Sequence, residues 1–382
     1  MIYLDNAAST HKKPQSVVKA MNSYMQKYAS NSGRSGHKLS LYSGEKIYEC
    51  RELIARLFNI DNPALIAFTP NTTAALNLAI HGYITPKDHV VIGGMEHNSV
   101  VRPVVASGAA YSVARADNTG LVTAESVRAE IKYNTKLIII NHASNIVGTI
   151  NPINEIGRLA AEKNIPLLVD AAQTAGVVNI DVVKDNVAML AFAGHKMLYG
   201  PTGTGGLYVR EDIKLKPLLQ GGTGTLSESI YQPDFMPDCL ESGTPNIVGI
   251  IGLSEGVRYV LNNGTDTLFN YEHTLSQYLK TELSKLNNVN VYGNKNSVGV
   301  VGFNINGMDS VSVSNLLDSR YNIASRGGLH CAILAHQSMG TEKTGLVRLS
   351  VSSFTTEAEV RKAVTAIKEI CLGGDAYYKD FY

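Results

Sequence analysis

No CxxC pair occurs in this chain. Its four cysteines, Cys50, Cys239, Cys331 and Cys371, are widely separated, which excludes a zinc site of paired thiolates and a disulfide framework, so each is expected as a free thiol and no metal site is expected. A surplus of one charge is also lacking. Lys plus Arg number 34 against 33 Asp plus Glu, and no basic run supplies the electrostatic footprint of a nucleic-acid binder. Long apolar runs are missing too: stretches such as Leu137–Ile140 fall far short of a bilayer span, so no membrane partner is expected. The first residues, Met-Ile-Tyr-Leu-Asp-Asn, show no basic or apolar leader region, which predicts a cytoplasmic location.

What is present is an ordinary globular composition, 44% hydrophobic and 18% charged over 382 residues. That profile excludes disorder and leaves room for about two domains. From Leu65 to Val209, short apolar runs alternate with helical patterns. Leu65–Phe68, Val90–Ile92, Leu137–Ile140, Pro166–Val169, Met189–Phe192 and Gly206–Val209 read as strands. Between them Ile153, Ile156, Leu159 and Ala160 keep helical spacing. This alternation predicts an α/β fold, a mostly parallel sheet with helices on both faces. Pro14 suits the first position of a helix carrying Val17, Val18, Met21, Tyr24, Met25 and Tyr28, followed by the loop Asn31–Gly36. Later, Val298–Asn304 and Leu346–Val351 read as strands, and Thr356-Glu-Ala-Glu359 is a capping box ahead of Val360, Val364 and Ile367. We therefore expect a large domain over 15–255 and a small α+β domain over 256–382, joined by residues 1–14.

Ligands of open parallel sheets bind outside the carboxyl ends of the strands, and polar residues cluster there in this chain. Asn141-His-Ala-Ser-Asn145, Asp170-Ala-Ala-Gln173 and Gly194-His195-Lys196 each follow a strand run. A carboxylate such as Asp170 at the end of an apolar strand needs a cation or several donors. A lysine such as Lys196, drawn out of water, acquires the neutral amine that Schiff-base chemistry requires. An acid for a pyridinium nitrogen and a lysine for an aldehyde are the anchors of pyridoxal 5′-phosphate. Thr69-Pro-Asn-Thr-Thr73 lies between a strand and a helix and suits an anion, although on this segment alone a plain threonine cap is the simpler reading. A lone strand-end Asp is most often a cap, and a His-Lys turn most often solvated. The joint occurrence of these features carries the argument.

Ser325-Arg-Gly-Gly-Leu-His-Cys331-Ala sets a cysteine beside His330 and near Arg326 in a glycine-containing loop. Neighbouring cations would raise its thiolate fraction, and a buried structural thiol is the alternative. Cys50 and Cys371 fall on helical patterns and fit that alternative better. Arg348, within a strand-like run, is either a surface charge or a bidentate partner for a substrate carboxylate.

With these residues in view, the sequence resembles the class V aminotransferase-fold enzymes that use pyridoxal phosphate. Among them it resembles the SUF-like, selenocysteine lyase-related branch of the cysteine desulfurases. The likeness runs from Tyr3-Leu-Asp-Asn-Ala-Ala8 through Glu96-His97-Asn98, Asn145, Asp170-Ala-Ala-Gln173, His195-Lys196 and Glu241-Ser-Gly-Thr-Pro-Asn246 to Arg326–Ala332 and Arg348. It implies the aspartate aminotransferase-like fold type I. It makes Lys196 the lysine that bonds the cofactor aldehyde, Asp170 the partner of the ring nitrogen, His97 the residue stacked on the ring and Gln173 a contact of the ring hydroxyl. Thr72, Thr73 and His195 would hold the phosphate, with Thr244 supplied by a second subunit, hence a homodimer. Asn145, Arg348 and Arg326 would meet the substrate, and Cys331 would take its sulfur. Two positions depart from the pattern: Ala193 stands where a serine often serves the phosphate, and Leu329 where a second histidine is common.

The implied reaction converts L-cysteine to L-alanine, leaves a persulfide on Cys331 and passes the sulfur to a thiol or an acceptor protein, as in iron-sulfur cluster assembly. L-selenocysteine is the alternative substrate. Selenocysteine lyase, a cysteine β-lyase, another class V aminotransferase and a non-catalytic sulfur-transfer scaffold are the rival readings. The aromatic tail Asp375–Tyr382 is expected to dock on its own subunit, the dimer mate or a partner.

Overall fold

The computed structural model describes residues 1–32 and 36–378, with side chains up to residue 373. Residues 33–35 of the Asn31–Gly36 loop and residues 379–382 lie outside the described residues, and of the aromatic tail Asp375–Tyr382 only the backbone of 375–378 is described.

The chain enters through β1 (Ile2–Tyr3), α1 (Gln15–Lys27), α2 (Lys38–Phe58), β2 (Ile66–Thr69), α3 (Thr72–Tyr83), β3 (His89–Gly93), α4 (Asn98–Ala106) and β4 (Ala110–Ala114). It continues through α5 (Ala124–Glu130), β5 (Thr135–Asn141), α6 (Ile153–Glu162), β6 (Leu167–Asp170), β7 (Met189–Ala193) and β8 (Gly205–Val209). These strands build a seven-stranded sheet in the order β2-β8-β7-β6-β5-β3-β4. Neighbours are parallel from β7 to β4, whereas β8 runs antiparallel to both β7 and β2. The expected mostly parallel sheet is present, with Gly206–Val209 as its reversed strand.

Both faces of this sheet are covered, which explains why its strands read as continuous apolar runs. In β5, Ile138 and Ile140 join the core shared with α2, α6 and the later helix α7 (Ile247–Asn263). Leu137 and Ile139 point the other way, into the core made with α3 and α4. Gly194 marks a close approach just beyond β7: a Cβ there would collide with the Thr204 hydroxyl, so only glycine lets the chain turn at this point.

The remaining elements are α8 (Thr265–Leu283), β9 (Val289–Tyr292), β10 (Val300–Ile305), α9 (Ser310–Tyr321), β11 (Ile323–Ala324), α10 (Ile333–Met339), β12 (Val347–Ser350) and α11 (Glu357–Tyr378). An antiparallel sheet β12-β10-β9 packs with α8, α9 and α11 around Phe303, Leu317, Leu349 and Ile367. The N-terminus joins this core, since β1 pairs with β11 and Leu4 is fully buried in it. The Thr356–Glu359 capping box forms as read: Thr356 N donates to Glu359 Oε2 at 2.7 Å, and Glu359 N to Thr356 Oγ1 at 3.3 Å. Pro14 sits one position earlier than expected, as the N-cap of α1. Of that helix's apolar residues, Val17 and Tyr24 are buried while Val18 and Met25 are exposed. Among the described residues no helix is long and apolar enough to cross a membrane.

Candidate active site

The chain leaves β3 toward the β4 edge and returns to place β5 on β3's other side. That reversal opens a crevice at the carboxyl ends of the two strands. Glu96 and His97 follow β3, Asn141 ends β5, and Asp170 ends the adjacent β6. One cavity is lined by Asn71, Thr72, Thr73, His97, Ser99, Asn141, Asn145, Asp170, Gln173, His195 and Lys196. The structure thus brings together residues spread over more than a hundred positions of sequence, and among them are most of those singled out above.

Each is held by local chemistry. The Thr69–Thr73 turn caps α3 through Asn71, whose Oδ1 accepts from Ala74 N at 2.9 Å. The threonine-cap reading is therefore replaced, and Thr72 Oγ1 is left buried without a partner. His97 caps α4, its Nδ1 accepting from Ser99 N at 3.0 Å. Asp170 Oδ1 accepts from Ala172 N at 2.9 Å. Gln173 Nε2 donates to Ala7 O at 3.1 Å. The His195 carbonyl accepts from Thr10 N at 3.2 Å and from Lys13 Nζ at 2.8 Å, which ties the N-terminal segment to the peptide preceding Lys196.

Burial sets the electrostatics. Although the Lys196 side chain is only partly buried by surface area, removal from water lowers its pKa to about 8, with Asp170 opposing the shift and Arg348 and Arg326 adding to it. Asp170 is pushed upward by burial, against the Ala172 N–H and the Lys196 charge. His97 and His195 are each lowered to about 4, first by burial and then by neighbouring cations, Lys196 among them. Both rings are neutral at neutral pH. Glu96, fully buried beneath the crevice, is raised well above the carboxylate range by burial, and its Oε1 accepts from Asn141 N at 2.7 Å.

Thr72 Oγ1, His195 Nδ1, Gln173 Oε1 and Asn145 Oδ1 are buried polar atoms without partners, and all belong to residues lining this cavity. Unpaired buried polar groups are costly. They fit an occupant carrying its own donors and acceptors, such as the phosphate, hydroxyl and ring of pyridoxal phosphate. Among the described residues no His, Cys, Asp and Glu group is arranged to hold a metal ion.

Some expected residues stand apart. Arg348 is not a surface charge: it is buried in β12, donating to Asp5 Oδ1 at 2.7 Å and to Asn145 O at 3.0 Å, with Nε unpartnered. Arg326 is paired with the other Asp5 oxygen at 2.9 Å. Cys331 is exposed, but the expectation of a histidine cation beside it is corrected. Burial lowers His330 to about 3, and its Nε2 meets Leu346 O at 2.9 Å. It is a neutral structural ring. His330 and Cys331 both take positive φ, 48° and 55°, which bends the loop so that Asn98 N donates to Cys331 O at 2.7 Å. Thr244 lies outside the cavity, in a separate groove of about 740 Å³ beside Glu241 and Leu219.

A model of the aminotransferase class-V family matches residues 2–362. The chain belongs to that family. It is 35% identical over 379 residues to a protein from Methanothermobacter thermautotrophicus named "probable cysteine desulfurase", covering 97% of this chain and 94% of that one. It superposes with a TM-score of 0.91 on the apo structure of the cysteine desulfurase from Thermococcus onnurineus NA1, at 34% identity over 97% of this chain and 95% of that one. A cysteine desulfurase from Escherichia coli, solved in an S-sulfonic acid form, gives a TM-score of 0.87 at 26% identity, covering 96% and 94% of the two chains. The fold is therefore that of the fold type I enzymes expected above.

The sequence reading did not assign roles to Asp5, Ser99 or Arg51. Arg51 grips Glu241 with both terminal nitrogens, at 2.8 and 2.7 Å, and so fixes the start of the segment bearing Thr244. The only signal for Asp5 was its place in the Tyr3–Ala8 motif. For Arg51 and for the Ser99 contact with Thr73 the sequence offered none, because these partners are distant in the chain.

Proposed function

We propose that this chain is a pyridoxal phosphate-dependent cysteine desulfurase that converts L-cysteine to L-alanine and takes the sulfur onto Cys331. The observation that carries the reading is the hydrogen bond from Asn98 N to Cys331 O, which anchors the backbone of an exposed cysteine next to the residue following His97. Family membership and the desulfurase relatives support it.

When bound, pyridoxal phosphate supplies an electron sink for charge developing at the substrate α-carbon. Thr72, Thr73 and His195 would hold its phosphate, Asp170 the proton on its ring nitrogen, Gln173 its hydroxyl, and His97 the face of its ring. Lys196, with an amine near pKa 8, takes the proton from the substrate α-carbon. Arg348 and Asn145 orient the substrate carboxylate, and Arg326 lies at the outer end of the same ion cluster. Asp5 holds both arginines in place. The Cys331 thiolate attacks the substrate sulfur, the carbon–sulfur bond breaks with its electron pair on the β-carbon, and a proton added there together with return of the α-proton from Lys196 completes alanine. The Cys331 persulfide, exposed as it is, is open to a thiol or acceptor protein.

We also infer a homodimer, with Thr244 of one protomer completing the phosphate cradle of the other. Supporting this, Thr244 is removed from its own chain's cavity, and the nearby segment exposes Leu219, Ile230 and Tyr231 at 71%, 91% and 78%. Free thiols throughout favour the cytoplasm. We divide the chain into a large domain over 15–255 and a small one over 256–382 with 1–14, a division supported by the separate core around Phe303.

The test is alanine formed from L-cysteine with a thiol reductant present. Loss in Cys331→Ala alone supports the reading. Equal alanine in both proteins overturns the Cys331 role in favour of a β-lyase, and none in either overturns desulfuration.

A further inference from the structure

The Ser99 hydroxyl stands between two functional side chains. It lies 2.8 Å from His97 Nδ1 and 2.8 Å from Thr73 Oγ1, and Ser99 itself is buried. The direction of these bonds follows from the backbone. Ser99 N donates to His97 Nδ1 at 3.0 Å, and a peptide nitrogen can only donate. Nδ1 is therefore the acceptor nitrogen, and a neutral ring carries its proton on Nε2. A hydroxyl 2.8 Å from that same lone pair must point its proton at it, so the second lone-pair contact of Ser99 is filled by the Thr73 O–H. The chain of donors runs from Thr73 to Ser99 to His97.

An anion in the adjoining cradle conflicts with this order. Thr73 has one proton; given to an anion, it is withdrawn from Ser99, and Thr73 Oγ1 becomes an acceptor toward which the Ser99 hydroxyl can turn. We propose that Ser99 is a positioning residue that transmits occupancy of the Thr72–Thr73 cradle by a phosphate group to His97, switching Nδ1 between two donors and one. The proposal rests on the reading of the cavity as a phosphate site. Loss of a hydrogen bond that stabilised the neutral ring leaves Nδ1 more basic, by about half a pH unit to one unit. Lys196, Arg348 and Arg102 are the other charges facing His97, and none of them lies in this chain of donors. Loading the cradle thus tunes the ring that the cofactor would stack on.

The test uses the full chain freed of cofactor and labelled with 15N-histidine, observed by NMR at neutral pH with and without inorganic phosphate, His97→Gln identifying the resonances and 31P NMR reporting binding. The wild type should show the Nε2–H tautomer with a strongly hydrogen-bonded Nδ1, and bound phosphate should shift Nδ1 downfield. Ser99→Ala should begin at the downfield position and Thr73→Val should remain upfield, neither responding. A wild-type Nδ1 indifferent to bound phosphate, an equal response in Ser99→Ala, or an Nδ1–H tautomer would overturn the proposal. Absence of phosphate binding would overturn it together with the cradle, whereas desulfuration is judged separately by alanine formation.

Discussion

Arg348 donates to Asp5 across 343 residues of sequence, at 2.7 Å, and the pair is almost wholly buried. The Asp5 carboxylate shares its other oxygen with Arg326, so one acid near the N-terminus holds two arginines from the C-terminal part of the chain. The arrangement fixes the guanidinium that also reaches the Asn145 carbonyl.

Asp5→Ala should destabilise the fold by about 3–5 kcal/mol, because it strands a buried cation. Asp5→Asn, which keeps an acceptor, should cost less. Denaturant unfolding checks both, and a loss below about 1 kcal/mol in Asp5→Ala would show that Arg348 does not depend on this partner.

The depressed Lys196 pKa has a kinetic signature. Uptake of pyridoxal phosphate by the cofactor-free chain should rise with pH through a midpoint near 8, well under the 10.5 of an ordinary lysine. Asp170 raises the Lys196 value, so Asp170→Asn should move the midpoint lower still. A midpoint that stays near the ordinary lysine value would remove the case for a desolvated amine.

Glu272, 1% exposed, accepts from the Tyr199 hydroxyl at 3.2 Å and is raised by burial from 4.5 to about 8. Between those values the folded chain holds a proton that the unfolded chain has lost, so stability contributed here is present in acid and falls as pH rises through the window. Glu272→Gln should flatten that decline, read as Tm against pH. An unchanged slope would assign the dependence elsewhere.

Ala193 ends β7 two residues before His195. If the resemblance places a phosphate-directed hydroxyl there, Ala193→Ser should tighten pyridoxal phosphate binding about tenfold, the value of one added hydrogen bond to a charged group. Equilibrium titration of the cofactor-free chain measures it, and an unchanged Kd would sink the idea that this chain lacks that contact.

By itself, the sequence determined the local structure and the chemistry of the crevice. Runs such as Leu137–Ile140 fix a strand buried on both faces, because alternating side chains all need apolar surroundings. Asp170 and Lys196 were legible because a charge after an apolar strand demands a reason. Thr356 and Glu359 spell out their own helix start. Tertiary structure alone decided the rest. The reversal of β8 leaves no trace in Gly206–Val209, since parallel and antiparallel buried strands have the same composition. His330 reads as a cation in the sequence, yet burial makes it neutral. The threonines of the Thr69–Thr73 segment lost the capping role to Asn71 because neighbouring polar side chains compete for the same backbone donors. The Asp5–Arg348 pair and the link from Thr73 to Ser99 are partnerships between side chains far apart in the sequence. Spacing along one chain cannot encode them, because contact energy depends on distance in space and not on separation in sequence.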